Sequence, residues 1–130
     1  MNIWENFNFK SRTGTSAYDL MVAQNNNFVA KTGGLLSLEV ESINSSDGTQ
    51  LVYKLYVVAN TLSGYRKYIL DVNEADGTNY FPVYISSSLT ETSMDFVTEM
   101  DFLNELENMV TTSIIKRIIE NLYQQAYDNK

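Results

Sequence analysis

The sequence predicts an α+β domain: an N-terminal helix, a four-stranded antiparallel meander sheet and C-terminal helices. Three observations carry that expectation. Leu51–Val72, LVYKLYVVANTLSGYRKYILDV, is two runs rich in Val, Leu, Ile and Tyr around a segment ending in Ser63-Gly64, the pattern of a β-hairpin. Leu35–Ile43 alternates Leu36, Leu38 and Val40 with Ser37, Glu39 and Glu41, as a half-buried strand does. Beyond Ser86–Thr90 the apolar spacing turns helical. Strands joined by short turns pair antiparallel, because a parallel pair needs a crossover of about a dozen residues or more.

Taken in order, residues 1–14 form an arm in which Trp4, Phe7 and Phe9 alternate with Asn and charge. Two readings stand for it: aromatics packed on the domain, or an exposed hydrophobic plug for a partner. A helix is predicted over 15–32. Thr15 or Ser16 is its N-cap, with Asp19 in a capping-box position, and Ala17, Leu20, Met21, Gln24 and Phe28 form its stripe. Gly33-Gly34 ends it as a left-handed cap. The Asn25-Asn26-Asn27 run has poor helix propensity, so packing must sustain this helix.

The sheet is predicted over 35–85, with turns at Asn44–Thr49 and Asn73–Asn79 marked by Asp47-Gly48 and Asp76-Gly77. Its fourth strand, Tyr80–Ile85, carries Pro82, which donates no ladder bond and so argues for an edge. The helical segment is predicted over 94–127. Thr98 with Asp101 resembles a capping box, Phe102, Leu103, Leu106, Met109 and Val110 form one stripe, and Thr111-Thr112 break it before a last helix bearing Ile114, Ile115, Ile118, Ile119, Leu122, Tyr123 and Ala126. The chain of 130 residues reads as one domain, 1–130, large enough to bury a core without disulfides.

Alternation fixes which residues share a face. The core side takes Leu36, Leu38 and Val40, then Leu51, Tyr53, Leu55 and Val57, then Tyr68, Leu70 and Val72, then Phe81, Val83 and Ile85. Symmetric closure of the loops pairs Ile43 with Gln50, Asn60 with Tyr65 and Asn73 with Tyr80. On the outer face this register aligns Glu39–Lys54–Asp71 in one row and Ser37–Tyr56–Ile69–Tyr84 in the next. The first row brings opposite charges together although charge did not set the register.

Composition excludes more than it selects. The chain has no His and no Cys, which removes the commonest general base, the thiolate nucleophile and most zinc or transition-metal ligands. The expectation is a non-catalytic protein with no cofactor and no metal. No apolar run reaches about 18 residues, and the start, MNIWENFNFK, lacks a signal-peptide pattern, so a cytoplasmic location is expected. Of the net charge of −7, the half 66–130 carries eleven acids and five bases; between Lys67 and Lys116 there is no Lys or Arg at all. Such a field repels nucleic-acid phosphates and anionic membranes, so neither is expected as a partner.

Four constellations could carry function. Asp71, Asn73, Asp76 and Gly77 superficially resemble a calcium loop, but the ligand spacing fails and residue 83 is Val where the motif needs Glu. Glu39–Lys54–Asp71 reads as an exposed salt-bridge row, or as an acid/base cluster if Lys54 is buried in a cleft with a lowered pKa. Tyr56, Ile69 and Tyr84 must be covered by a helix, a second copy or a partner. The carboxylates from Glu91 to Glu107, among them Asp95, Glu99, Asp101, Glu105 and Glu107, form either a solvated helix face or a field that steers a basic partner.

Local strings carry a resemblance. Lys31-Thr32-Gly33-Gly34-Leu35-Leu36 after the first helix, Tyr53–Tyr56 through Val58-Ala59, Gly64-Tyr65, Tyr80-Phe81-Pro82-Val83 and the Phe102-to-Ile119 tail resemble a group of small bacterial proteins of unassigned activity. Those motifs are structural and imply no catalytic residue. The helix, antiparallel sheet, helix order with strong acidity is also similar in outline to secretion chaperones and small immunity proteins. From the 91–107 acids, the Tyr row and the missing catalytic groups, the leading expectation is an acidic interaction module that binds a basic protein partner as chaperone, immunity protein or inhibitor. The alternatives are a homodimer formed through the Tyr56–Ile69–Tyr84 row, and a small-molecule binder or enzyme using Lys54 and Tyr hydroxyls in a pocket between sheet and helices.

Overall fold

In the computed structural model, which describes residues 2–7, 14–44, 50–75 and 79–130, the Ser16 hydroxyl accepts a hydrogen bond from the Asp19 N–H at 3.0 Å and starts α1, Ala17–Ala23. The chain turns at Gln24 and continues as α2, Asn25–Lys31. The stretch 15–32 is thus two short helices rather than one. Asn25 explains the break: its side chain leaves the helix and accepts the Leu38 N–H at 2.8 Å, as residues that compete for backbone hydrogen bonds do. Gly33 and Gly34 follow at φ 62° and 82°. They return their N–H groups to the carbonyls of Ala30 and Val29, the left-handed ending read from the sequence.

The sheet is an antiparallel meander of five strands in chain order: β1 (Leu36–Asn44), β2 (Leu51–Ala59), β3 (Tyr65–Glu74), β4 (Val83–Ser86) and β5 (Ser93–Val97). It confirms the α+β class and adds one strand to the four expected. The addition comes from residues 94–97, which the spacing placed in a helix; α3 spans only Phe102–Val110, and α4 spans Ser113–Asp128. In Ser93–Val97 the β-branched and aromatic residues fit a pleated surface. The β4 expectation is corrected with it. Pro82 precedes the strand, so no ladder donor is lost, and β4 is interior while β5 forms the edge.

The other edge is shielded at its start. The Thr32 hydroxyl accepts the Leu36 N–H and Asn25 takes that of Leu38, so two outward donors of β1 are already occupied from the α1–α2 side. That is one way natural sheets blunt an edge.

The helices share one hydrophobic core with the inner face of the sheet. Met21, Leu36, Leu70, Ile85, Phe102, Met109 and Ile115 are all fully buried, each worth about 1.5–3 kcal/mol of transfer free energy for the larger side chains. Phe102 meets Phe81 edge-on with ring centres 5.6 Å apart, and Tyr18 meets Tyr53 at 5.8 Å. The Thr61 hydroxyl donates to the Ala126 carbonyl at 2.7 Å and ties the β2–β3 turn to the end of α4. Inside the core the Tyr53 hydroxyl meets the buried Glu74 carboxylate at 2.8 Å.

Register departs from expectation in three places. β1 pairs with β2 as Ile43↔Val52, not Ile43↔Gln50. β3 pairs with β4 as Asn73↔Tyr84. Both are even slides, which leave every side chain on its face and which alternation therefore cannot detect. The third is different in kind. Leu55 pairs with Leu70 but Tyr56 pairs with Tyr68, so Ile69 is an extra residue in β3, a β-bulge. Ile69 and Leu70 both turn into the core at 0% exposure, and Tyr68 moves from the expected inner face to the outer one. The turn residues Asp47-Gly48 and Asp76-Gly77, and Phe9 of the arm, lie outside the described residues.

Candidate interaction site

The outer face of the sheet is a self-satisfied polar and aromatic network. The β1–β2 slide replaces the expected Glu39–Lys54–Asp71 row by Glu41–Lys54–Asp71. Lys54 Nζ donates to Asp71 Oδ1 at 3.0 Å, and the Tyr68 hydroxyl donates to Asp71 Oδ2 at 2.7 Å. Arg66 spans Glu39 at 2.7 Å and Glu41 at 3.2 Å, and its guanidinium lies 3.9 Å above the Tyr56 ring. Tyr56 and Tyr68 meet edge-on at 6.3 Å. These contacts cover the rings with cations, an arrangement worth about 0.5–1 kcal/mol at exposed sites.

The same contacts decide the electrostatics. The Asp71 carboxylate, by accepting its hydrogen bond, raises the Lys54 pKa above the ordinary 10.5 against the opposing pull of burial. Burial raises that of Tyr68, helped by its hydrogen bond to Asp71. Lys54 is therefore held as an ammonium and is a counter-ion, the reverse of the lowered pKa that an acid/base role requires.

The expected Tyr56–Ile69–Tyr84 row does not exist. Ile69 is in the core, Tyr56 opposes Tyr68, and Tyr84 opposes Asn73. No sequence signal marked the bulge, because Tyr68, Ile69 and Leu70 are all acceptable on an inner face.

Tyr84 leads to a different surface. Its ring stacks edge-on against Phe96 at 5.4 Å. Phe96 lies in edge strand β5 with φ 53°, a left-handed conformation rare for a bulky residue, and is 67% exposed. Four residues on, Met100 is 90% exposed at a turn closed by the Asp101 and Phe102 N–H groups bonding to the Thr98 and Glu99 carbonyls. The same stretch of chain carries Asp95, Glu99 and Asp101, all exposed; Glu105 is half-buried on α3 and Glu107 exposed. Asp101 is the N-cap residue of α3, and the Thr98 hydroxyl donates to its carboxylate at 3.2 Å. The rest of the acidic run has no salt-bridge partner among the described residues. Phe96 and Met100 were not picked out from the sequence, although the Met94–Phe96 spacing within SMDFV is a strand pattern that bore the signal.

A cavity of about 520 Å³ lies between α2, the inner face of the sheet and α3–α4. Among the described residues no group of three or more Asp or Glu is gathered as a metal site, and no helix is long and apolar enough to cross a membrane. Compared with protein-family models, curated proteins and solved structures, the chain matches none.

Proposed function

We propose that this chain is a non-catalytic acidic interaction module that binds a basic protein partner at the β5–α3 surface. The observation that carries the reading is Phe96, held in a left-handed backbone conformation with two-thirds of its surface in solvent, in a stretch that also exposes Met100 and carries Asp95, Glu99 and Asp101, none of them in a salt bridge among the described residues. Strained backbone clusters at binding sites because the surrounding structure must hold it for a use. Interfaces commonly combine a few apolar or aromatic anchors with a polar rim. Here Phe96 and Met100 are the anchors, and Asp95, Glu99 and Asp101 are a rim that speeds encounter with Lys- and Arg-rich surfaces. The outer-face network of Lys54, Tyr56, Arg66, Tyr68 and Asp71 needs no cover, since its charges are already paired. Self-association through Tyr56 thus loses its main argument.

The test uses the full chain as bait in lysate of its native host, with washes at low and high salt, beside Phe96→Ser and the triple variant Asp95→Asn, Glu99→Gln, Asp101→Asn. A stoichiometric basic protein retained by the wild type, released by salt and lost by both variants supports the reading. A partner that both variants retain as well as the wild type refutes it.

A further inference from the structure

The cavity between the helices and the sheet is graded from bottom to mouth. Its floor is Leu55, Val57, Ile69 and Leu106, all buried, and its walls are Phe28, Leu38, Val110 and Ile119, half-buried. The bulge in β3 is what brings Ile69 to that floor, and bulges are over-represented beside binding sites for this reason. Polar groups occur only at the mouth: Gln24, Asn27 and Lys31 on one side, Asn104 and Glu107 of α3 on the other. At about 520 Å³ the space falls within the range of small-molecule sites, about 300–1,000 Å³. An occupant matched to it is apolar at one end and polar at the other.

The charges at the mouth narrow the head group. Lys31 and Glu107 are the two charged residues of the lining, opposite in sign and on facing elements. Both are exposed, and among the described residues neither side chain forms an ion pair or hydrogen bond. An anionic head would satisfy Lys31 while meeting Glu107 and the net charge of −7. A cationic head would satisfy Glu107 and meet Lys31. An uncharged head gains from neither.

We infer that the cavity binds a single-chain amphiphile with a zwitterionic head, its tail along Phe28, Leu38, Val110 and Ile119 above the buried floor, its anionic group at Lys31 and its cationic group at Glu107. The neighbouring carboxamides of Gln24, Asn27 and Asn104 supply neutral donors and acceptors to the rest of the head. This site is separate in kind from the Phe96 surface, and its test leaves Asp95, Phe96 and Asp101 untouched.

The experiment titrates the full chain by calorimetry with dodecylphosphocholine and its decyl homologue, dodecanoate and dodecyl maltoside, each kept below its micelle concentration. Saturable one-to-one binding is expected, tightest for the zwitterion, weakening roughly fourfold for each methylene removed from the tail. Glu107→Gln should move the preference toward dodecanoate, and Lys31→Gln should weaken dodecanoate further and bring the zwitterion closer to the maltoside, both keeping the dependence on tail length. Val110→Trp should abolish binding of all three; if that variant does not fold, Leu103→Trp at the exposed mouth replaces it. Equal affinity for the three heads overturns the head assignment. Absence of saturable binding, or binding that the tryptophan variant leaves unchanged, overturns the site.

Discussion

Ile69→Ala is the sharpest probe of this fold, because it separates the bulged sheet from an unbroken one. In an unbroken β3, Ile69 faces outward and its truncation costs less than about 1 kcal/mol, as surface substitutions do. In the observed sheet it is fully buried and forms part of the cavity floor. The substitution removes three carbons, which at about 0.8 kcal/mol for each buried CH₂ is about 2.4 kcal/mol of lost transfer free energy. A cavity term adds to this for the space that the lost side chain leaves behind. The sum is about 3–4 kcal/mol, inside the roughly 2–5 kcal/mol found for Ile or Leu to Ala in cores. Urea unfolding followed by far-ultraviolet circular dichroism reads it directly. With an m-value of about 2 kcal/mol/M, the midpoint should fall by roughly 1.5–2 M at unchanged m. A midpoint within about 0.3 M of wild type would place Ile69 outside the core and refute the bulge.

Stability should also fall in alkali. Lys54 and Tyr68 both have folded-state pKa values raised above the ordinary 10.5 and 10.0, so the unfolded chain loses these protons first. In that window the native state binds more protons, and the slope of stability with pH is negative. The contribution is complete below about pH 9 and is lost as pH rises through the two folded values; Asp71→Asn should remove the Lys54 share of the slope and leave the part that burial of Tyr68 causes, and an unchanged slope in that variant would contradict the pairing. The arm offers a simpler check. Trp4 is the one tryptophan of the chain and is 57% exposed, its ring tilted against that of the exposed Phe7 at 5.2 Å. Its emission should be that of a solvated indole and readily quenched by iodide, whereas a blue-shifted, protected emission would mean that the arm packs on the domain.

Much of the architecture was legible because it rests on local chemistry. Ser16 caps α1 since its hydroxyl takes an orphan N–H, and Gly33-Gly34 end α2 since glycine has no Cβ to oppose a positive φ. Alternation assigned nearly every strand residue to its face, because successive side chains of a strand point opposite ways. The meander followed from the shortness of the turns. The acidity of 91–107 was equally plain, as charge needs no fold to be counted.

What the tertiary structure decided was everything that depends on which strand residue meets which. Even slides preserve faces, so Glu41 rather than Glu39 opposes Lys54 with no change in the apolar pattern. A bulge reverses faces for part of one strand. Where the bulged residues are Tyr68, Ile69 and Leu70, each tolerable inside, composition gives no warning. That one extra residue moved Ile69 from a proposed binding row to a cavity floor and replaced it outside by Tyr68. Strand β5 turned on the same limit: five residues at a sheet edge have weak intrinsic preference, and pairing with β4 supplied what propensity did not. With it came the placement of Phe96 in solvent beside Tyr84, which no spacing along the chain could disclose, because long-range pairing and not local periodicity put it there.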